Sequence, residues 1–201
     1  TICYNALISG YTSNSRFYDG VLLFRKMREA GVLVDSVTML GLVPVCTLPA
    51  HLSLGMCLHG CCVKVGLDSN VSVSNCLLTM YVKCGAVAYA RALFNGMPEK
   101  GLITWNAMIS GYAQNGLAHH VLDLYHEMEL TGIHPDPVTF LGVLSSCAYI
   151  GAHKVGCEIE RQIHCRGFGS NPFLGNSLIN MYARCGNLGK AHAIFDHMPE
   201  K

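Results

Sequence analysis

Apolar residues recur along the chain at the spacing of one helix face. The i, i+3, i+4, i+7 rule is followed twice near the amino terminus, first by Tyr4, Leu7, Ile8 and Tyr11 and then by Gly20, Leu23, Phe24 and Met27. Gly31 follows the second stretch and predicts a helix stop, because glycine readily adopts the left-handed conformation that ends many helices. The pattern therefore predicts two amphipathic helices that form a hairpin.

The hairpin pattern returns after a displacement of 101 residues, which carries Asn5 onto Asn106. Residues 5–11 then superpose on residues 106–112, and residues 80–85 on residues 181–186. About a third of the superposed positions are identical, far more than two unrelated segments would share. We therefore predict a repeat array, whose function is distributed over its units instead of residing in one active site.

Helix stops divide the array into six units of two helices each. Pro98, for example, ends the helix that carries Phe94 and Met97, because proline cannot continue a helix. The predicted units are 1–35, 36–70, 71–101, 102–136, 137–171 and 172–201. A single hairpin has too small an apolar face to be stable alone, so the units must stack. The sequence thus predicts an all-α fold, an α-solenoid of helix-turn-helix repeats.

Charge and hydropathy exclude several classes of function. The net charge of +1 argues against holding nucleic acid mainly through phosphate neutralisation, although it leaves recognition of bases open. The most apolar stretch, residues 32–46, is interrupted by Asp35, Gly41 and Pro44 and is too short to span a bilayer. We therefore expect no membrane partner.

The sequence contains eleven cysteines, an odd number. Two pairs of them are repeat equivalents inside helical patterns, namely Cys46 with Cys147 and Cys84 with Cys185. We interpret these as reduced thiols that fill the core of a protein in a reducing compartment.

Catalytic and metal-binding patterns are missing from the sequence. It has no CxxC pair, and no histidine is followed two residues later by glutamate as in zinc deaminases. We therefore predict no metal, no cofactor, no small-molecule substrate and no enzymatic activity for this chain.

Short sequence motifs within the units resemble those of a known family. Residues 4–11 and 105–112 look like the first helix of a standard pentatricopeptide repeat. Residues 80–85, 181–186 and 195–201 look like the short repeat, and Gly66, Gly167, Cys46 and Cys147 fit the long one. The whole chain resembles the plant-type pentatricopeptide repeat family, in which standard, long and short repeats alternate. The resemblance implies a right-handed superhelix with standard repeats at 1–35 and 102–136, long repeats at 36–70 and 137–171, and short repeats at 71–101 and 172–201. The last repeat is truncated, so we interpret the chain as a fragment of a longer protein.

The resemblance also implies a function. Such arrays bind single-stranded RNA of plant organelles, with one base for each repeat. The wording is similar to mitochondrial RNA editing factors, so we expect a segment that recognises a site for C-to-U editing, in the mitochondrion or alternatively the chloroplast. The longer protein would carry or recruit a cytidine deaminase-like domain or editing cofactors. RNA stabilisation or splicing is an alternative, as is a protein-binding scaffold of the tetratricopeptide type. The latter is disfavoured because its period would be uniform.

In this family the fifth and the last residue of each repeat read the base. The corresponding pairs are Asn5 with Asp35, Leu40 with Asn70, Asn75 with Gly101, Asn106 with Asp136, and Leu141 with Asn171, while Asn176 lacks a partner. The resemblance implies that Asn followed by Asp prefers uracil, which gives two uracils three nucleotides apart. Glycine cannot orient the amide of Asn75, and the leucine pairs are expected to be spacers or weak readers. Residues at the second position would wedge between bases: Ile2, Val37, Ser72, Ile103, Val138 and Phe173.

Each assignment has a structural alternative. Asp35, Asn70, Asp136 and Asn171 each precede a first helix, where helix capping alone would account for them. Asparagine inside a helix cannot cap, but Asn5 and its equivalents could serve hydrogen bonds between repeats instead of reading bases. The second-position residues could simply pack in the core.

Overall fold

The computed structural model describes residues 1–198; the predicted last unit therefore extends beyond them, with Pro199, Glu200 and Lys201 outside the described part. The chain divides into two compact units, Thr1–Lys100 and Gly101–Lys201. Residues 1–198 contain twelve α-helices, two short 3-10 helices and no strand. The prediction of an all-α fold built from helical hairpins is confirmed.

The first unit contains helices α1 to α6. Their bounds are α1 Ile2–Ser13, α2 Phe17–Glu29, α3 Ser36–Leu42, α4 Leu52–Lys64, α5 Val71–Lys83 and α6 Val87–Gly96. Helix α1 packs against both α2 and α3, and α5 packs against α3, α4 and α6. The first helix of each hairpin therefore contacts the first helix of the next, which is the stacking of a solenoid.

The second unit repeats this arrangement with helices α7 to α12. Their bounds are α7 Leu102–Gln114, α8 Ala118–Leu130, α9 Pro137–Ile150, α10 His153–Cys165, α11 Pro172–Arg184 and α12 Leu188–His197. Helix α9 packs against α7, α8, α10 and α11. Helices α9 and α11 begin with Pro137 and Pro172, which suit the first helical position because its N–H has no partner within the helix.

Glycine follows the second helix of the first hairpin in each unit, as the pattern predicted. Gly31 follows α2 with a φ of 68°, and its equivalent Gly132 follows α8 with a φ of 77°. Such a left-handed conformation strains any residue with a Cβ, and it turns the chain toward the next first helix.

The recurring cysteines occupy the core only in part. Cys46, Cys84 and Cys147 are buried, whereas Cys185 is half-buried. Burial raises the pKa of the Cys46 thiol to about 11 and that of Cys147 to about 12, so both remain protonated apolar groups at neutral pH. The eleven cysteines are all free thiols.

One predicted helix is broken. Segment 36–70 was expected to form a plain hairpin, but α3 ends at Leu42 and is followed by 3-10 turns at Val43–Val45 and Pro49–His51. Pro44 has no N–H to donate to the carbonyl of Leu40, and its ring clashes with that carbonyl in a regular helix. The equivalent segment of the second unit has Ser145 there, and α9 runs unbroken to Ile150.

Candidate nucleic-acid interface

The predicted pair Asn5 and Asp35 meets in a hydrogen-bonded network that includes Thr38. The Asn5 Nδ2 group donates to both carboxylate oxygens of Asp35, at 2.9 and 3.1 Å. The Thr38 hydroxyl donates to Asn5 Oδ1 at 2.6 Å. Asp35 Oδ1 also accepts the backbone N–H of Thr38 at 2.9 Å and thereby caps α3. The network therefore links α1 to the start of the next first helix.

The carboxylate fixes which way the Asn5 amide faces. An ionised carboxylate can only accept hydrogen bonds, so the amide nitrogen must point to Asp35 and the amide oxygen to Thr38. Asn5 is only 8% exposed, which further limits rotation of its side chain. Capping and orientation of the amide are thus two roles of the same aspartate.

Asp35 is held in its charged form. Partial burial alone would raise the pKa of its carboxyl, but hydrogen bonds from Thr38 and Asn5 outweigh burial and lower that pKa. The carboxylate therefore stays an acceptor across the physiological pH range.

The second unit contains the same network. Asn106 Nδ2 donates to Asp136 Oδ1 at 3.0 Å, and the Thr139 hydroxyl donates to Asn106 Oδ1 at 2.5 Å. Asp136 caps α9 by accepting the backbone N–H of Thr139 at 2.9 Å. The two Asn–Asp–Thr networks, 5–35–38 and 106–136–139, are therefore matched in chemistry and geometry.

The asparagines of the predicted short repeats lie in different surroundings. Asn75 is half-buried, and its Oδ1 atom has no hydrogen-bond partner among residues 1–198. Asn176 is exposed on α11. Gly101 precedes α7 in an extended conformation and offers no side chain to cap it, and the buried Thr104 Oγ1 three residues on has no hydrogen-bond partner among the described residues.

The residues predicted as spacers are accessible. Leu40 is 39% exposed, and Leu141 is half-buried. Asn70 caps α5 by accepting the N–H of Val73 at 3.1 Å. Asn171 caps α11 by accepting the N–H groups of Phe173 and Leu174 at 3.0 and 3.2 Å. All four predicted caps thus form, which satisfies backbone donors that a helix start leaves free.

The second-position residues are exposed and do not pack in the core. Ile2 is 85% exposed and Ile103 72%. Exposure also holds for the remaining members of this set, which are Val37, Ser72, Val138 and Phe173. Five of these six side chains are apolar, and packing in the core of the described fold does not explain them, because they lie in contact with solvent on the first turn of each first helix.

Comparison with known proteins identifies the family. The PPR repeat family model matches residues 101–148, and the PPR repeat model matches residues 2–32, 72–102 and 176–201. Together these matches span more than half of the chain. The chain belongs to the pentatricopeptide repeat family.

Relatives within this pentatricopeptide repeat family are longer than the chain. A mitochondrial pentatricopeptide repeat-containing protein of Arabidopsis thaliana is 60% identical over 201 residues, which cover 100% of this chain and 32% of that protein. A second Arabidopsis thaliana member is 40% identical over 200 residues, covering 100% of this chain and 25% of its own length. The chain therefore spans about a third or less of these relatives.

Solved structures of the family support the fold. The pentatricopeptide repeat protein PPR10 in complex with an 18-nt psaJ RNA element matches with a TM-score of 0.79 over 97% of this chain and 29% of that chain, at 20% identity. PPR10 from maize, in another crystal structure, matches with a TM-score of 0.57 over 97% of this chain and 33% of that chain, at 19% identity.

The sequence analysis did not predict that Thr38 and Thr139 belong to the Asn–Asp–Thr networks. Their signal is present in the sequence, because each lies three residues after the capping aspartate, the spacing of a capping box. What the sequence could not give is the third bond of each threonine, which reaches back to an asparagine 33 residues earlier.

Residues 1–198 contain neither a cluster of metal-ligating side chains nor a helix that could span a membrane. No group of three or more His, Cys, Asp or Glu side chains there is arranged to hold a metal ion. None of the described helices is long and apolar enough to cross a membrane.

Proposed function

We propose that this chain binds single-stranded RNA and reads uracil with the amides of Asn5 and Asn106. The observation that carries the proposal is the pair of matched networks, in which an aspartate turns each amide in a fixed direction. Membership of the pentatricopeptide repeat family supports the choice of RNA as partner, because repeat arrays of this kind read one base with two or three side chains.

The networks leave donor and acceptor capacity for a base. An asparagine amide has two N–H donors and an oxygen with two lone pairs. In the first network one N–H faces Asp35 and one lone pair receives the Thr38 hydroxyl, so one donor and one acceptor remain. Uracil presents a carbonyl acceptor beside its N3–H donor, the complement of that remaining pair. Adenine and cytosine present the reverse order, an amino donor beside a ring-nitrogen acceptor. Because Asp35 and Thr38 fix the direction of the Asn5 amide, a base of this kind placed as uracil is would set donor against donor and acceptor against acceptor.

Exposed apolar side chains supply the second part of the binding surface. Ile2 and Ile103 lie three residues before the two reading asparagines, on the first turn of α1 and α7. We propose that these residues and their equivalents pack against the faces of the bases. Because the net charge is only +1, we expect affinity to depend less on salt than in proteins that bind through phosphates.

The biological setting that we propose is C-to-U editing in plant mitochondria, with this chain as the site-recognition segment. Three relatives carry the word mitochondrial in their names. The expected alternation of standard, long and short repeats supports editing over RNA stabilisation or splicing. A deaminase-like domain or an editing partner would act from outside these residues.

A binding experiment tests base reading. Fluorescence anisotropy compares the 201-residue chain on a single-stranded RNA with two uracils three nucleotides apart and on the same RNA with adenines there. We expect at least about a tenfold preference for uracil, because one good bidentate contact discriminates by roughly 1–3 kcal/mol. The double variant Asn5→Ala with Asn106→Ala is expected to lose this preference.

The matched control is Asn14→Ala with Asn115→Ala. These asparagines are also 101 residues apart, but they follow α1 and α7, where their side chains bond to Gly10 and Gly111 carbonyls. This control should retain the uracil preference of the parent. Equal preference in the parent and the Asn5, Asn106 variant would show that these amides do not read bases.

A further inference from the structure

The break in α3 opens a cleft on the first-helix side of the first unit. The cleft has a volume of about 480 Å³ and lies between α1 and the turn after α3. Its lining includes Ser9, Ser13, Leu40, Gly41, Pro44 and Thr47. The cleft is shallow and widely open to solvent, so a ligand would enter it with one side still exposed.

The position of the cleft connects it with the proposed reading surface. Ser9 lies one helical turn beyond Asn5 on α1, and Leu40 is the fifth residue of its own repeat. A nucleotide next to the one read at Asn5 would therefore face the mouth of the cleft. In the second unit only four of the eight equivalent residues, Ala113, Ser145, Ser146 and Ala148, line a cavity, which holds about 160 Å³ and is bounded by α11 as well.

The lining has the chemistry of a nucleobase site. Leu40 and Pro44 supply apolar surface for the faces of a planar ring. Ser9, Ser13 and Thr47 add hydroxyl groups, which donate or accept hydrogen bonds and so tolerate any base edge. Pro44 and Thr47 are exposed, so a base from solvent can reach the cleft. Turning a base out of a single strand requires no unpairing, which keeps the energetic cost low.

We propose that this cleft accommodates one nucleobase of the bound RNA, next to the uracil read by Asn5. This inference rests on the proposed RNA binding and goes beyond it, since it makes the first long repeat a base-holding site instead of a spacer. The cleft takes purines and pyrimidines alike, because hydroxyls and apolar side chains dominate its lining.

The experiment uses RNAs with a single abasic nucleotide. One RNA lacks the base that faces Leu40, and the other lacks the base that faces Leu141. The 201-residue chain should bind the first RNA about fivefold more weakly than intact RNA, because the base no longer buries apolar surface against Leu40 and Pro44, and the second about as well as intact RNA. The four natural bases opposite Leu40 should bind within about threefold of one another, because apolar side chains and hydroxyl groups contact all four bases alike.

A filled cleft provides the protein-side test. Ser13→Phe places a ring in the cleft from an exposed position on the last turn of α1. This variant should bind intact RNA as weakly as the parent binds the RNA that is abasic opposite Leu40. The matched control is Gln114→Phe, 101 residues later at the exposed end of α7, which should behave as the parent.

The outcomes separate the two proposals. If the uracil preference is present but the two abasic RNAs bind equally well, the cleft holds no base while the proposed function stands. If the chain binds the uracil RNA no more tightly than the adenine RNA, the proposed function fails and the cleft inference fails with it. Retention of the Asn106 uracil preference in Ser13→Phe shows that the variant is folded.

Discussion

The segments after Asp35 and Asp136 begin alike and end differently. Each starts with an aspartate cap and a threonine that closes the Asn–Asp–Thr network. Beyond the first turns, α3 stops after 7 residues, whereas α9 continues for 14. Pro44 and Pro49 stand where the second unit has Ser145 and Ile150, and proline cannot be accommodated in the interior of a regular helix.

The comparison shows that the candidate reading site needs only the first turn of α3 or α9 and does not depend on the length of that helix. The common bonds of the two networks agree to within 0.1 Å, at 2.9 and 3.0 Å from asparagine to aspartate and at 2.6 and 2.5 Å from threonine to asparagine, although one helix is half as long as the other. Cys46 and Cys147 are also both fully buried, so the chain returns to the same core position after the break. The second half of this helix is therefore free to vary, and in the first unit it varies by opening a cleft.

The largest expected effect comes from copying the break into the second unit. Ser145→Pro removes a helical hydrogen bond and introduces a ring clash inside α9, which should destabilise the chain by about 3 kcal/mol or more. Urea unfolding followed by circular dichroism measures this change. Ser145→Ala is the control, and since Ser145 is exposed we expect it to change stability by less than about 0.5 kcal/mol. If Ser145→Pro lowers the free energy of unfolding by less than about 1 kcal/mol, α9 tolerates a proline at this position without further changes.

The next effect tests the networks themselves. Thr38→Val and Thr139→Val each remove a buried hydroxyl that bonds to an asparagine oxygen, and each should destabilise by about 1–3 kcal/mol. Thr104→Val is the matched control, because Thr104 occupies the equivalent position after Gly101 and its buried hydroxyl has no partner among residues 1–198. This variant should be neutral or stabilising. Thermal unfolding of the three variants measures the contrast, and equal losses in all three would mean that the hydroxyl bonds contribute nothing.

The difference between threonines also shows how far sequence reasoning reaches. Repeat spacing and apolar periodicity located the helical hairpins, because both depend on local pattern. Capping by Asp35 and Asp136 followed from their place before a helix. The link from Thr38 to Asn5 did not follow, since it joins two hairpins and depends on how they stack. Pro44 is recognisable in the sequence as a helix breaker. The cleft beside it could not be predicted, because it also depends on where α1 packs.

A smaller effect comes from completing the missing cap. Gly101→Asp places a carboxylate before α7, where it can accept the backbone N–H of Thr104, as Asp35 does with Thr38. It can also accept the Thr104 hydroxyl, which has no partner among residues 1–198. Apart from Gly101 itself and its two chain neighbours, no heavy atom of the described residues lies within 4 Å of a Cβ added at Gly101, so the side chain has room. We expect a gain of about 1 kcal/mol, a few tenths from the cap and the rest from the hydroxyl bond.

A double-mutant cycle isolates the hydroxyl contribution to that gain. In the Thr104→Val background, Gly101→Asp should stabilise by only a few tenths of a kcal/mol, because capping remains and the hydroxyl bond does not. Differential scanning fluorimetry of the four proteins gives the coupling. A gain from aspartate that is the same in both backgrounds would show that the two side chains do not interact.

The smallest effect is expected from pH, which tests whether the first network contributes through its charge. The pKa of Asp35 is lowered in the folded chain relative to an unfolded value of about 3.9. A lowered folded pKa means that the stabilisation is fully present above the unfolded pKa and is lost as the pH falls from about 4 through the folded pKa. Asp35→Asn can still cap α3 through its amide oxygen but does not titrate, so it lacks this contribution at every pH. The melting temperatures of the parent and Asp35→Asn should therefore differ most at neutral pH and converge as the pH falls below about 4. If the difference in melting temperature stays constant over this pH range, the charge of Asp35 contributes nothing to stability. A neutral hydrogen-bond acceptor would then hold the Asn5 amide equally well.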